Sequence, residues 1–295
     1  MDSSRSGSLR IPEGFISWKY EVARSPSSKL RPTLVFLHAA VADHTLWNTQ
    51  IEYLTAKEWN CLSFDLFGFG QSKPSKEFLE SDPRRPINHL NHLEILLKET
   101  LPVQSKVILI GLSMGGLLAP DFALVHPGLV SGLVTIAGGV RGSEFPNKPE
   151  EDNLFDQETI LSQAGSIKAL AKLKVRIWGD GPPQKPGRLS EAIADKMYSW
   201  CLDIAARECA KEGGTALEDV APEPFAFTRL HEIRVPTAVA FGAYDESNTT
   251  AAMKYVGRTI ERANVKAFEA AHMINLEVPE ELNAWLGGWL EAHWQ

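Results

Sequence analysis

The chain has 295 residues, of which 44% are hydrophobic and 23% charged, and its formal net charge is -7. This length accommodates one large or two small domains with a substantial buried core. Binding dominated by a phosphate backbone needs clustered lysines and arginines, so the acidic balance argues against nucleic acid as a partner.

The N-terminal residues 1–14 are polar and contain no apolar stretch of signal-peptide length. The sequence also lacks a run of the ~20 apolar residues needed to cross a bilayer. We therefore predict a cytoplasmic protein without a membrane partner. The three cysteines, Cys61, Cys201 and Cys209, form no CxxC pair, and an odd count is typical of reduced thiols, so we expect no metal site from them.

Apolar runs with the length of strands recur along the chain. Alternating apolar and polar residues predict a half-buried strand at residues 16–22, and the Ser/Pro-rich residues 24–32 predict a turn. Continuous apolar runs, typical of parallel strands covered on both faces, follow at residues 33–38, 61–65, 107–111, 133–137 and 237–242. A short strand is predicted at residues 265–268.

Between these strands, apolar residues at three- and four-residue spacing predict helices at residues 46–59, 89–101, 117–125 and 251–260. This alternation indicates an α/β fold, with a mostly parallel central sheet and helices on both faces. It breaks over residues 141–229, where two helical patterns (157–173 and 189–211) flank a GDGPPQKPG turn. We predict a core from residues 1–140 and 230–295, and a helical cap or lid from residues 141–229.

The stretch GLSMGG, residues 111–116, stands between a predicted strand and a predicted helix. About 0.1 matches to GxSxG are expected by chance in such a chain, so the motif alone does not decide the function. Gly111 and Gly115 would remove side chains that crowd a strained turn, leaving the Ser113 hydroxyl exposed at the carboxyl edge of the sheet. The backbone N–H of Met114 would then point at a developing oxyanion. Alternatively, Ser113 only caps the helix.

Two further residues suit the same chemistry. A serine becomes a good nucleophile when a base takes its proton, and the base works best when a third group fixes its tautomer. Asp245 comes just after the predicted strand that ends at Gly242, and His272 lies between a short strand and a terminal helix. Ser113, Asp245 and His272 follow the chain order of α/β hydrolases. Glu246 is an adjacent rival for the acid.

Nearly the whole chain resembles the serine-nucleophile branch of the α/β-hydrolase fold family. The strand-to-helix turn at residues 111–116 is called here the elbow. The other matching pieces are Leu37-His38, Trp47, the DLFGFGQS segment at residues 65–72, and the RVPTAVAFGAYD segment that carries Asp245. The resemblance implies catalysis by Ser113, His272 and Asp245 without a cofactor.

The resemblance also maps the second oxyanion N–H donor to Ala40. Members commonly read His-Gly where this chain has His38-Ala39. A Cβ disfavours positive φ, so the shape of this loop is left open. His38 itself is expected to form structural hydrogen bonds behind the loop, and Asp65 to brace the loops around nearby glycines.

The cap region resembles that of enol-lactone and small-ester hydrolases, mainly through Trp178-Gly179-Asp180-Gly181-Pro182. This likeness implies small ester or lactone substrates. Ala39, Trp178 and Arg141 are candidate substrate contacts, with a surface ion pair as the alternative for Arg141. The spacing His89-x-x-His92 suits a metal on one helix face, but no third ligand completes it, so a solvated face is predicted.

These observations together predict a serine hydrolase, a monomer or homodimer, that cleaves an ester or lactone of a small organic molecule. Three alternatives use the same residues differently. The chain could hydrolyse a C–C bond in a ketone, catalyse a biosynthetic acyl transfer or cyclisation, or serve as a hydrolase-like receptor for a small molecule. Fold-level resemblance does not choose among them.

Overall fold

A computed structural model describes residues 4–25, 31–81 and 86–294, so part of the predicted turn at residues 24–32 lies outside the described residues. The strands within these ranges are β1 (Arg5–Ile11), β2 (Gly14–Glu21), β3 (Thr33–Leu37), β4 (Cys61–Phe64), β5 (Lys73–Pro74), β6 (Val107–Leu112), β7 (Val130–Ile136), β8 (Thr237–Gly242) and β9 (Asn264–Phe268). Each strand predicted from the sequence corresponds to one of them.

The helices are α1 (Asn48–Ala56), α2 (Lys76–Ser81), α3 (His89–Thr100), α4 (Met114–Val125), α5 (Pro149–Gln163), α6 (Ile167–Val175), α7 (Glu191–Ala210), α8 (Ala226–Arg229), α9 (Ser247–Thr259), α10 (Ile274–Glu277) and α11 (Pro279–His293). A single π-helical turn, Arg176–Asp180, continues α6. No helix of the described ranges is long and apolar enough to cross a membrane.

The strands form one sheet in the order β1-β2-β4-β3-β6-β7-β8-β9, with β5 beside β2. From β4 to β9 neighbouring strands are parallel, whereas β1, β2 and β4 pair antiparallel. The predicted α/β fold with a mostly parallel sheet is thus confirmed. Since the central strands run in one direction, the loops after β3, β6, β8 and β9 meet at one edge of the sheet.

Helices cover both faces of the sheet because successive residues of a buried strand point to opposite sides. In β3, Val35 and Leu37 pack into a cluster with α3, α4 and α9. Leu34 and Phe36 pack into the opposite cluster with α1 and α11. The continuous apolar strand runs of the sequence therefore reflect burial on both faces.

Two features of the fold differ from the sequence pattern. Strand β1 was not predicted, because its residues are mostly exposed and polar, and its order comes from backbone pairing with β2 along the full register from Arg5–Tyr20 to Ile11–Gly14. The helix predicted at residues 157–173 is two helices, α5 and α6. They separate at Gly165, which has φ +64.

The prediction of a solvated face for His89 and His92 is wrong. Their exposed fractions are only 3% and 2%, because this side of α3 packs inward. The His92 ring lies 5.1 Å from the Phe67 ring, and its Nε2 lies 3.4 Å from a carboxylate oxygen of Glu13. Aromatic packing has replaced solvent around this pair.

Residues 141–229, called here the insertion, connect β7 to β8 and contain helices α5 to α8. Helices α5, α6 and α7 pack on one another. Buried between them, the Lys174 ammonium of α6 lies 2.7 Å from Glu158 of α5 and 3.1 Å from Glu208 of α7. The insertion therefore has a charged cluster of its own within its helical packing.

Candidate active site

The turn from β6 to α4 holds Ser113 in a strained conformation. Ser113 has φ 57 and ψ -116, a combination that costs energy for a residue with a Cβ. A Cβ on Gly111 would overlap the carbonyl of Gly115, and one on Gly115 would overlap the carbonyl of Leu37. The glycines therefore permit the tight turn. Ser113 makes no side-chain cap hydrogen bond to α4, so the capping alternative does not describe it.

Asp245 and His272 are in direct contact. The Nδ1 of His272 lies 3.0 Å and 2.9 Å from the two carboxylate oxygens of Asp245. Both side chains are buried, with residue exposures of 4% for Asp245 and 2% for His272. The contact assigns the Nδ1–H tautomer, in which Nε2 keeps its lone pair. Within the described ranges, the buried Nε2 has no hydrogen-bond partner, so it is free to accept a proton.

The neighbouring carboxylate of Glu246 has a different partner. It accepts a hydrogen bond from the Thr249 hydroxyl at 2.6 Å, whereas Asp245 faces the imidazole. The Glu246 backbone N–H donates to Asp245 at 2.8 Å and so helps to hold that carboxylate. Of the two acids that the sequence offered, Asp245 is the one that contacts His272.

Electrostatics favour the protonated form of this histidine. Burial alone lowers the pKa of His272, but the charge and hydrogen bond of Asp245, with a smaller contribution from the charge of Glu246, outweigh it and raise the pKa above its ordinary value. An imidazolium formed when His272 takes a proton is thereby stabilised. This is the electrostatic requirement for a general base beside a nucleophile.

The loop after β3 lies against the elbow. The backbone N–H of Gly115 donates to the carbonyl of His38 at 3.1 Å, so Ala40 and Met114 come close to the same junction. Across the described ranges, no hydrogen bond takes up the backbone N–H of Ala40 or Met114. Neither N–H group is thus used by the described fold, and their role as oxyanion donors stays a prediction.

Ala39 fits this loop without the positive φ that a glycine would allow, since it is not among the described non-glycine residues with positive φ. Its side chain is wholly buried in the core beneath the loop. The substrate contact predicted for Ala39 is therefore not accessible in this conformation. The question raised by His38-Ala39 is resolved, because the methyl group packs inward.

Behind the loop, His38 and Asp65 form structural contacts as expected. His38 Nδ1 donates to the Ala39 carbonyl at 2.8 Å, and Nε2 accepts from the Leu66 N–H at 2.9 Å. Burial lowers the pKa of His38, in keeping with the neutral ring that these bonds require. Asp65 accepts from the backbone N–H groups of His44 at 2.8 Å and Gln71 at 2.7 Å.

One described group of side chains, Asp43, His44 and Asp65, brings its potential metal-ligand atoms within 4.8 Å of one another. These atoms already have partners. His44 Nδ1 lies 2.7 Å from Asp65, and Asp43 accepts from the Thr45 N–H at 2.8 Å. We interpret these contacts as hydrogen bonds that stabilise the loop leading into α1.

Trp178 lies at the site, but Arg141 is engaged elsewhere. The half-buried Trp178 ring is 4.5 Å from the His272 ring, centroid to centroid. The Arg141 guanidinium pairs with buried Asp121 at 2.6 Å and also with Asp219. The alternative of an ion pair for Arg141 is thus what the structure shows, though the pair is largely buried. Its charge is already neutralised, which removes the basis for a substrate contact.

Sequence reasoning missed two residues behind the histidine. Glu277 accepts the Ala271 N–H at 2.8 Å, and Arg188 of the insertion lies 2.6 Å from the other carboxylate oxygen of Glu277. No local pattern marks either residue, because the contact depends on two segments far apart in the chain. A sequence search could have flagged Glu277 only by its nearness to His272.

Comparison with known proteins agrees with this architecture. A family model described as alpha/beta hydrolase fold matches residues 32–176. The chain is 32% identical to a 1-acylglycerol-3-phosphate O-acyltransferase of Rattus norvegicus, covering 93% of this chain and 81% of that protein. It is 30% identical to a 2-hydroxy-6-oxononadienedioate/2-hydroxy-6-oxononatrienedioate hydrolase of Paraburkholderia xenovorans, covering 83% of this chain and 80% of that protein.

Among solved structures, the enol-lactonase of Burkholderia xenovorans superposes with a TM-score of 0.67 at 19% sequence identity. The match covers 94% of this chain and 97% of that one. At this identity, the superposition shows a shared fold.

Proposed function

Since the chain belongs to the α/β-hydrolase fold family, we propose that it is a serine hydrolase that cleaves an ester or lactone of a small organic molecule. The observation that carries the proposal is the buried Asp245–His272 pair, whose Nε2 is without a partner in the described structure. It belongs to the same sheet edge as the strained Ser113, because β6, β8 and β9 are parallel. A serine at the same sheet edge as a histidine that is oriented by a carboxylate supports covalent catalysis.

In the first half of the reaction, the Ser113 hydroxyl oxygen attacks the carbonyl carbon while His272 Nε2 takes the hydroxyl proton. Asp245 holds the imidazolium through Nδ1–H. The N–H groups of Met114 and Ala40 bind the oxyanion, each contributing about 3 kcal/mol to the transition state. The C–O bond to the leaving group then breaks, and the imidazolium delivers its proton to the departing alkoxide.

In the second half, water attacks the acyl-Ser113 ester while His272 takes one proton from it. Collapse of the second tetrahedral intermediate breaks the bond to Ser113, which recovers its proton from His272. The products are a carboxylic acid and an alcohol, joined in one molecule when the substrate is a lactone. The chain's own residues supply every proton transfer in this scheme.

We further propose that the insertion is a cap over this site. Trp178 supports this assignment, because it belongs to the insertion and its ring lies against His272. An aromatic wall directly beside the base favours small, partly apolar substrates. The proposal of an ester or lactone also draws on the fold shared with an enol-lactonase.

A second candidate function is C–C bond hydrolysis. It is favoured by the 30% identity to a hydrolase of 2-hydroxy-6-oxo dienedioates. This reaction would use Ser113 and His272 in the same positions, but the leaving group is a carbon that must be protonated. Product analysis distinguishes it, since an ester or lactone releases oxygen as a hydroxyl and a diketone releases a ketone.

The proposal is tested with a substrate panel of p-nitrophenyl acetate, a γ-lactone, an enol lactone and a 1,3-diketone. Ser113→Ala should lower kcat on any turned-over substrate by about 10⁶-fold, because no other group replaces the nucleophile. A fluorophosphonate should label the wild type and not the variant. Ser143→Ala is the matched control, because the Ser143 hydroxyl donates to the Val140 carbonyl outside the site. Undiminished turnover by Ser113→Ala would overturn the assignment.

A further inference from the structure

Residues 179–189 of the insertion, called here the clamp loop, form a closed unit. The Asp180 carboxylate accepts backbone N–H groups from Gly187 at 2.7 Å, Arg188 at 2.8 Å and Leu189 at 3.1 Å. These three bonds tie the end of the loop back to its start. A carboxylate held by three N–H groups is a stable anchor, so the loop has a defined shape.

A second side chain fixes the interior of the clamp loop. The Arg176 guanidinium donates to the carbonyls of Gly181 at 2.6 Å, Pro182 at 3.1 Å and Gln184 at 2.7 Å. A planar fork that donates to several carbonyls at once restricts their relative positions. These bonds hold the backbone of the clamp loop in a defined conformation. Chain segments that contact the loop are therefore held in place as well.

Arg188 extends from this loop to the core. Its Nε donates to the Asp180 carbonyl at 2.7 Å and its Nη2 to the Gly179 carbonyl at 3.1 Å. The same Nη2 lies 2.6 Å from Glu277, whose side chain is only 7% exposed. Arg188 is thus held by the loop and pairs with a largely buried carboxylate of α10.

Glu277 links Arg188 to the chain segment that holds His272. Its second carboxylate oxygen accepts the Ala271 backbone N–H at 2.8 Å, and Ala271 directly precedes His272. The Ala271–His272 segment is therefore tied to α10, and α10 to the insertion. A shift of this peptide would move the imidazole by a similar amount.

Gly181 adds a contact with the acid side of the site. It has φ +89, and a Cβ there would overlap the Tyr244 carbonyl and lie 3.0 Å from the Ala271 Cβ. Tyr244 and Ala271 directly precede Asp245 and His272. The Arg188 guanidinium also lies 5.4 Å from the centre of the Tyr244 ring. The clamp loop therefore touches both chain segments that present the acid and the base.

We propose that the clamp loop positions the catalytic base, and that Arg188 and Glu277 are the positioning residues through which it acts. The inference rests on the proposed function, because it assigns His272 as the base. The loop holds the Tyr244–Asp245 and Ala271–His272 segments at a fixed separation, so Nε2 is aimed at the nucleophile before substrate arrives. Trp178 directly precedes the clamp loop, and its ring centroid lies 4.5 Å from that of the imidazole.

Preorganisation of this kind affects the chemical step rather than substrate affinity. A displacement of about 1 Å in a catalytic group costs up to about 100-fold in rate. Loss of one of several supports should cost less, since Asp245 still holds Nδ1. We therefore expect kcat to fall about tenfold in Arg188→Ala and in Glu277→Gln, with KM within about twofold of the wild type.

Because the two residues act in one chain of contacts, their effects should not add. The double variant Arg188→Ala/Glu277→Gln should lose no more than the worse single variant, as expected for residues coupled in one network. Arg188→Lys keeps the charge opposite Glu277 but not the fork to Gly179 and Asp180, so it should recover part of kcat. The matched control is Arg234→Ala, whose side chain is 70% exposed and pairs with Glu261 on the surface.

A second measurement reports on the position of the His272 ring and does not depend on turnover. In ¹⁵N-histidine-labelled protein, the Nδ1–H proton that His272 shares with Asp245 should give a downfield resonance, assigned by its loss in Asp245→Asn. It should persist in Arg234→Ala and broaden or shift in Arg188→Ala and Glu277→Gln, at unchanged near-UV circular dichroism.

The outcomes separate two failures. If wild-type turnover does not depend on Ser113, the proposed function fails, and the resonance alone decides whether the clamp loop positions His272. If turnover depends on Ser113 but kcat and the resonance are unchanged in Arg188→Ala and Glu277→Gln, the positioning role is overturned. Additive losses in the double variant, or a loss of kcat that equals a loss of folded protein, would overturn it as well.

Discussion

Buried polar groups serve different ends at the sheet edge and in the insertion. At the edge, Ser113 is strained, and His272 Nε2 is buried without a partner in the described structure. In the insertion, Lys174 faces two carboxylates and Asp180 accepts three backbone N–H groups. A strained residue and an unmet hydrogen-bonding group thus lie where chemistry is proposed, whereas these charges of the insertion have partners.

The difference teaches how to separate function from stability in this molecule. A group that is costly to the fold and still present at the sheet edge is a candidate for catalysis. A buried charge with full pairing holds helices in place, and its loss leaves its partners uncompensated. Substitutions of Asp245 or His272 should therefore reduce turnover more than stability, and those in the Lys174 cluster, which lies outside the clamp loop, should do the reverse.

After Ser113→Ala, the largest expected effect on turnover comes from removing the carboxylate that faces the base. Asp245→Asn should lower kcat by about 10⁴-fold, because an amide holds the wrong tautomer and cannot stabilise an imidazolium. Asp245 raises the pKa of His272, so in the wild type the rising limb of kcat/KM against pH lies above the ordinary histidine pKa of about 6.5. Loss of this charge lowers the pKa of His272, so the rising limb of the residual activity should move to lower pH.

Glu246→Gln is the control for this substitution. Its carboxylate faces Thr249, so kcat should stay within severalfold of the wild type and the limb should move only slightly toward lower pH. Equal losses from the two substitutions, measured in pH–rate profiles, would contradict the assignment of Asp245 as the orienting acid.

The next effect tests whether the elbow tolerates any side chain. Gly115→Ala places a methyl group into the Leu37 carbonyl, so the turn must open and stability should fall by about 3 kcal/mol, with loss of activity in the folded fraction. Gly288→Ala is the control. Among the described residues beyond the adjacent helix backbone, no atom lies within 4 Å of a Cβ there, and the residue is inside α11, so stability should rise by about 0.5–1 kcal/mol. Urea unfolding measures both; a neutral Gly115→Ala would refute the steric argument.

The smallest effect on chemistry should come from the charged cluster of the insertion. Lys174→Met leaves the buried Glu208 and the half-buried Glu158 without their cation, so unfolding free energy should fall by about 3 kcal/mol. At 25 °C, kcat of the folded enzyme should stay within about twofold, because the cluster does not touch the site. Lys98→Met is the control, since that lysine is 62% exposed and pairs with Glu94 on the surface of α3. A large loss of kcat in the folded enzyme, with the unfolding free energy unchanged, would contradict the proposed division between the two regions.

Much of the sheet edge follows from local sequence patterns. Apolar runs identified the buried strands, and the GLSMGG stretch identified a tight strand-to-helix turn, since the steric needs of such a turn act over a few residues. Asp245 and His272 were placed by their distance from predicted strand ends. Their contact, and the choice of Asp245 over Glu246, required the structure.

The differences from the sequence predictions share one cause. The exposed strand β1, the buried faces of His89 and His92, and the burial of the Arg141–Asp121 ion pair all depend on a neighbour distant in the chain. Periodicity reports burial only when the residue pattern itself alternates. A polar strand at an edge, or a histidine packed against an aromatic ring, leaves no such pattern.

By itself, the sequence determined the fold class, the order of the core elements and the local turn at Ser113, because backbone sterics and hydrophobic periodicity are properties of short segments. Only the tertiary structure decided that Arg188 reaches Glu277 and that Trp178 covers His272. These contacts join the insertion to the sheet edge. Their geometry follows from how α6 and α7 pack, and packing depends on the whole chain at once.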